Sequence, residues 1–129
     1  KLICPYQSAF IPGRDIQDNI LMVQEILNIF NKSKNKTEWF TLKLDMEKTY
    51  DRIQWPFLWQ CLSQFGFSDQ WIHWIKQCVT IVSYSIILND GTSAVFQPSR
   101  DLRQGDPLSS YLFILCMEIF ARKLVLIRV

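Results

Sequence analysis

Five apolar residues, Ile16, Ile20, Val23, Leu27 and Phe30, recur at alternating intervals of four and three after the turn-forming Pro12-Gly13. That spacing predicts an amphipathic helix over 15–31. The polar, basic stretch Lys32-Ser33-Lys34-Asn35-Lys36 follows and reads as a solvated surface loop, with contact to a phosphate backbone as the alternative. From Trp39 to Asp45 the period changes to two. Phe40, Leu42 and Leu44 fall on one side and Thr41, Lys43 and Asp45 on the other, the pattern of a strand with one face buried.

A second helix is predicted from near Gln54, with Pro56 in its first turn, to Phe65 before Gly66. Ser68 is placed to cap a third through about Val82, with Trp71, Trp74 or Ile75, and Cys78 on one face and His73 turned to the surface. Two β-prone runs then flank Asn89-Asp90-Gly91, whose residues tolerate positive φ and so signal a hairpin. Last, Asp106-Pro107 combines an N-cap with Pro at the first helical position, and apolar residues continue from Leu108 to Val129. The order helix, strand, helix, helix, hairpin, loop, helix predicts an α+β chain with helices packed on a small, mainly antiparallel sheet.

At 129 residues, 49% hydrophobic and 20% charged, the composition is that of a single globular domain and not of a disordered chain. A net charge of +2 does not by itself mark a nucleic-acid binder. Cys4, Cys61, Cys78 and Cys116 are too scattered, and His73 too isolated, to suggest a zinc site or a disulfide framework. The longest apolar run, Tyr111 to Met117, is far shorter than a membrane span, and no targeting segment is recognisable. Lys1 stands where an initiator Met is expected, so the expectation is a processed chain or, the favoured reading, one cut from something longer.

Two segments carry candidate chemistry. Asp45 ends the predicted strand, where a rigid element presents a carboxylate suited to Mg²⁺, a hard cation that takes one or two protein carboxylates with substrate phosphates and water. Taken alone, Asp45 reads first as a strand terminus, and Tyr50 as core packing at a strand-to-helix junction. In Leu102 to Phe113, Gly105 lets the backbone pass close to another group, while Arg103 and Gln104 offer donors for phosphate and base. Alone, this is an ordinary helix entry capped by Asp106.

The strings LKLDMEKTYDRI around Asp45 and LRQGDPLSSYLF around Gly105 resemble two polymerase motifs of the reverse transcriptases of non-LTR (LINE-type) retrotransposons. A third, QSAFIPGR from Gln7 to Arg14, resembles that family's segment between fingers and palm. The matches run from about Pro5 to Leu124, which implies a fingers-to-palm segment at about 1–38 and part of the palm at about 39–129. Asp45 then corresponds to a ligand of the catalytic metals, Mg²⁺ or in its place Mn²⁺, with the main-chain carbonyl of Met46 completing the coordination. The chemistry implied is attack of a DNA primer 3′-hydroxyl on the α-phosphate of an incoming dNTP, directed by an RNA template, with two metal ions at the attacking and leaving oxygens. Tyr50 corresponds to the aromatic ring under the sugar of that nucleotide, where it excludes a 2′-hydroxyl. Gln104 and Gly105 lie beside the nascent base pair, and Arg103 contacts nucleic acid. For Arg14, contact with template or primer phosphate and a plain surface charge at a helix start both stand. Thr49 and Ser110 replace an alanine and a proline frequent in the family.

The family also needs a second palm motif ending in Asp-Asp, and no Asp-Asp dipeptide occurs here. The fingers segment that holds the triphosphate is likewise missing. The expectation is a catalytically incomplete part of a polymerase whose partners include the missing parts of the same enzyme, acting in the nucleus as the family implies. A non-catalytic nucleic-acid-binding module and an inert retroelement relic are the alternatives.

Overall fold

A computed structural model describes residues 2–33 and 40–126. Lys34 to Lys36 of the basic loop, Trp39 at the start of the predicted strand and the last three residues of the predicted final helix lie outside the described residues. The chain divides into two compact units, Ile3–Glu47 and Lys48–Val129, with Leu2 counted in the second. Its architecture is α+β, as the order of elements predicts, with four helices and one two-stranded antiparallel sheet among the described residues.

In the first unit, helix α1 spans Ile16–Lys32. Asp15 caps it by accepting a 2.9 Å hydrogen bond from the Gln17 N–H. At the other end the Ser33 N–H reaches the Ile29 and Phe30 carbonyls, at 3.0 and 3.2 Å. The helix therefore forms where the periodicity predicts it. Its apolar stripe, however, is not covered: no α1 residue is buried, and Ile16, Ile20, Val23 and Leu27 stay exposed.

The predicted strand does not form. Residues 40–46 take no regular secondary structure, and Phe40, Leu42 and Leu44 are each more than half exposed. Alternation predicts which face of a strand would be buried, but a strand also needs a neighbour to accept its N–H groups. Among the described residues no segment forms a ladder with this one.

The second unit holds the core. Helix α2, Trp55–Gln64, has Pro56 in its first turn, and Gly66 at φ 82° follows its C-cap Phe65. Gly66 reverses the chain there, its N–H reaching the Ser63 carbonyl at 2.9 Å. Helix α3, Asp69–Thr80, starts at Ser68, whose hydroxyl accepts from the Trp71 N–H at 3.3 Å. The buried face of α3 keeps Ile75 and Trp71 of the predicted one but not Trp74 or Cys78. Ile72 and Ile75 are buried, with Trp71 and Val79 packed beside them, whereas Trp74 and Cys78 are exposed. His73 is exposed, as predicted.

Strands β1 (Ile87–Leu88) and β2 (Gly91–Thr92) pair antiparallel with Leu88 opposite Gly91. Asn89 and Asp90 make the turn at φ 47° and 66°, the two positive values that a tight hairpin demands. Helix α4, Pro107–Leu126, begins where the Asp106 carboxylate accepts the Leu108 N–H at 2.9 Å. Leu112, Cys116 and Ile119 on α4 meet Leu58, Cys61 and Leu62 on α2, with Ile72 and Ile75 of α3 in the same cluster. Glu118 is buried too, and its carboxylate accepts a 2.7 Å hydrogen bond from Arg122, whose guanidinium lies 5.4 Å from the Phe65 ring centre.

Candidate functional site

Tyr50 opens a tight turn before α2, in which the Ile53 N–H reaches the Tyr50 carbonyl at 3.4 Å. The same carbonyl accepts from the Leu102 N–H at 3.3 Å, and the Ile53 carbonyl accepts from the Asp101 N–H at 3.1 Å. Gln54 and Arg100 form an isolated antiparallel bridge, and the Trp55 indole N–H donates to the Asp101 carbonyl at 2.9 Å. Main-chain bonds thus fasten the segment 100–102 along the segment 50–54. The side chains add a further tie, since the Tyr50 ring stacks on Phe113 of α4 with centroids 4.5 Å apart and planes 14° from parallel. Two stretches far apart in sequence are thereby held as one piece.

From this seam the chain turns into α4 through Arg103, Gln104 and Gly105. Gly105 sits at φ 87°, a conformation that side chains with a Cβ rarely adopt, and an added Cβ would meet nothing within 4 Å. Its conformation, and not a close approach by another described group, is what calls for glycine. Arg103 and Gln104 are exposed, and one Arg103 Nη lies 3.5 Å from the Asp106 carboxylate. A guanidinium with one exposed ion pair keeps donors available to solvent or to a ligand.

Arg14 lies in the first unit, where it faces the chain's own carbonyls. Its Nη1 donates to the Cys4 carbonyl at 2.7 Å and also to the Gln7 carbonyl, so the guanidinium staples the turns of the Gln7–Arg14 segment. Asn19 adds a 3.1 Å bond to the Tyr6 carbonyl. Asp45 and Met46 belong to the same unit and are exposed, on a stretch without regular structure. Tyr50, Arg103, Gln104 and Gly105 are therefore brought together in the second unit, while Asp45, Met46 and Arg14 belong to the first.

A divalent cation needs several oxygen ligands. Asp45 supplies one carboxylate, and among the described residues no group of three or more His, Cys, Asp or Glu side chains is placed to hold a metal. The described residues thus fit one ligand of such a site and not a whole one.

Phe113 and Asp101 are the residues that sequence reasoning passed over. Phe113 ends the LRQGDPLSSYLF string but reads there only as one more apolar residue of a helix. Asp101 has a φ of 109°, and one of its carboxylate oxygens is buried without a hydrogen-bond partner. Burial, and secondarily the charge of Asp51, push its carboxyl above the usual aspartate range. It lines a small cleft with Trp55, Val79, Tyr84, Arg103 and Asp106.

A turn bearing an aromatic ring, bonded along its main chain to the segment that leads into an Arg-Gln-Gly helix entry, joins two of the motifs in one structure. The chain belongs to the family of reverse transcriptases, RNA-dependent DNA polymerases, whose model matches residues 1–127. It is 30% identical over 120 residues to the transposon TX1 uncharacterized 149 kDa protein of Xenopus laevis, covering 93% of this chain and 9% of that protein. It is 27% identical over 120 residues to the retrovirus-related Pol polyprotein from the type-2 retrotransposable element R2DM of Drosophila melanogaster, covering 93% of this chain and 11% of the polyprotein. A 35-residue stretch is 57% identical to an uncharacterized mitochondrial protein of Arabidopsis thaliana, 27% of this chain and 29% of that one. The non-LTR retrotransposon affinity implied by the motifs is thus shown, and the chain spans about a tenth of the two transposon proteins. No helix among the described residues is long and apolar enough to cross a membrane.

Proposed function

We propose that this chain is the part of an RNA-directed DNA polymerase that carries the first palm carboxylate, Asp45, and the surface under the incoming nucleotide, built from Tyr50 and the Arg103 to Gly105 turn. The observation that carries this reading is the seam between 50–54 and 100–102 together with the Tyr50–Phe113 stack, which fixes Tyr50 against the second motif. A ring locked in place discriminates a 2′-hydroxyl by contact, because it cannot swing aside. Gln104 and Gly105 lie next in the chain for contact with the base pair, and the exposed Arg103 suits a template or primer phosphate. In this reading about 1–38 lead from fingers to palm and about 39–129 form part of the palm.

The metal chemistry belongs to a larger assembly. Divalent ions, Mg²⁺ or Mn²⁺, supply charge stabilisation at the reacting phosphate when bound, and Asp45 with the Met46 carbonyl would hold one edge of them. The sequence has no Asp-Asp dipeptide to complete the set. Metal stabilisation is worth several kcal/mol and each ~1.4 kcal/mol is tenfold in rate, so the chain on its own is proposed to be inactive. Primer extension with the purified chain on an RNA template, with Mg²⁺ or Mn²⁺, tests this. No product is expected, and product that disappears in Asp45→Asn would overturn the proposed inactivity.

A further inference from the structure

Asp101 stands two residues before Arg103 at φ 109°, a conformation in which a residue with a Cβ crowds its own backbone. Such a residue persists only where its surroundings hold it. Three hydrogen bonds do so here. The Asp101 N–H reaches the Ile53 carbonyl at 3.1 Å, the Leu102 N–H reaches the Tyr50 carbonyl at 3.3 Å, and between them the Asp101 carbonyl accepts from the Trp55 indole N–H at 2.9 Å. The first two are main-chain bonds. The third is the shortest and depends on one side chain. Trp55 is the first residue of α2, and its ring lines the small cleft together with Asp101, Leu102, Arg103 and Leu108. Across 46 residues of chain it grips the peptide group that joins Asp101 to Leu102. We infer that Trp55 is a positioning residue for the Arg103 to Gly105 turn, holding the Asp101–Leu102 peptide in the one orientation that aims that turn. That the turn faces a nucleotide and its template rests on the polymerase reading; the hold itself does not.

The chemistry of the indole selects the orientation. Its N–H is a donor only, so it favours the peptide plane that presents a carbonyl and opposes the flipped plane that presents the Leu102 N–H. Because the peptide is planar, its direction fixes the exit from Asp101 and the entry to Leu102 together, and Arg103 and Gln104 follow directly. Tyr50 is held differently, by main-chain bonds and by the stack on Phe113, neither of which uses the indole. Loss of the indole donor therefore disturbs the contacts of Arg103 and Gln104 and leaves sugar discrimination by Tyr50 in place. A specific rescue also follows. Glycine adopts φ 109° without the Cβ penalty, so Asp101→Gly makes the indole dispensable, whereas Asp101→Ala keeps the Cβ and does not.

The test is amide hydrogen exchange, followed by NMR, on the 129-residue chain, where no catalysis is needed. Trp55→Phe keeps a ring in the cleft and removes the donor. Protection of the Leu102 amide is expected to fall by about fivefold to tenfold, the worth of one hydrogen bond, while the Phe65 amide, bonded to the Cys61 carbonyl at the far end of α2, keeps its protection. Adding Asp101→Gly should restore the Leu102 amide, and adding Asp101→Ala should not. Undiminished protection at Leu102, an equal loss at Phe65, or rescue by alanine as full as by glycine would each overturn the inference. Should Trp55→Phe alone fail to fold, Trp55→Phe with Asp101→Gly is expected to fold, and its failure would count equally against the inference. Carried into the R2DM polyprotein in place of the matched 120 residues, Trp55→Phe should raise the KM for the incoming dNTP at an unchanged preference for deoxynucleotides, and Asp101→Gly should reverse the rise. Insensitivity to Asp45→Asn in that chimera contradicts the polymerase reading. Extension lost with Asp45→Asn but a KM unmoved by Trp55→Phe contradicts the positioning role of Trp55.

Discussion

The Tyr50 ring lies on the face of Phe113, 4.5 Å between centroids, so the turn before α2 and the second turn of α4 share one aromatic contact. Its loss should loosen the seam that positions Tyr50. Phe113→Ala is expected to destabilise the chain by about 2 to 4 kcal/mol. A double-mutant cycle with Tyr50→Ala should return a coupling of about 1 kcal/mol in urea unfolding. Tyr50→Phe keeps the stack and should leave the urea midpoint nearly unchanged.

Asp101 should respond in the opposite direction. A non-glycine residue at φ 109° with a buried, unpartnered carboxylate oxygen combines backbone strain with an unmet hydrogen bond. Asp101→Gly is expected to stabilise the chain by about 1 to 3 kcal/mol, measured by urea or thermal unfolding. Because folding raises the pKa of this carboxyl, the folded state binds its proton more tightly than the unfolded state does. Its contribution is full below the ordinary value of 3.8 and is lost as pH rises through the folded value. Relative to Asp101→Asn, the unsubstituted chain should therefore lose stability as pH is raised from that value, and parallel pH profiles would contradict the assignment.

Local chemistry was the legible part of the fold. Pro56, Ser68 and Asp106-Pro107 each mark a helix start that the structure contains, and Asn89-Asp90-Gly91 marks the hairpin, because caps and turns depend on neighbouring residues alone. What depends on distant partners was harder to read. Alternation at Phe40, Leu42 and Leu44 predicts a face without supplying a neighbouring strand, and α3 buries Ile72 and Val79 more deeply than Trp74 and Cys78 because α2 packs on it from that side. The motif strings pointed to Tyr50 and Gly105. The Tyr50–Phe113 stack joins residues distant in sequence and the strain at Asp101 is a backbone conformation, and neither has a local signature.

Exposed Phe40, Leu42 and Leu44 carry a further expectation. An apolar, β-prone stretch that forms no ladder among the described residues is a template for pairing between molecules. The purified chain should self-associate on size-exclusion chromatography. Phe40→Lys combined with Leu42→Glu should raise the monomer fraction while leaving the unfolding of the α2 to α4 unit in place. A monodisperse, cooperatively melting monomer of the unsubstituted chain would count against this expectation.

The roles of Asp45 and Tyr50 are tested most directly in a chimera in which this chain replaces the matched 120 residues of the R2DM polyprotein, assayed by primer extension on an RNA template. The prediction is extension that falls by at least about a thousandfold with Asp45→Asn, in keeping with several kcal/mol of lost metal stabilisation, and a relaxed preference for deoxynucleotides over ribonucleotides with Tyr50→Val. An active chimera that extends primers equally well with Asp45→Asn, and selects the same sugar with Tyr50→Val, would contradict the account.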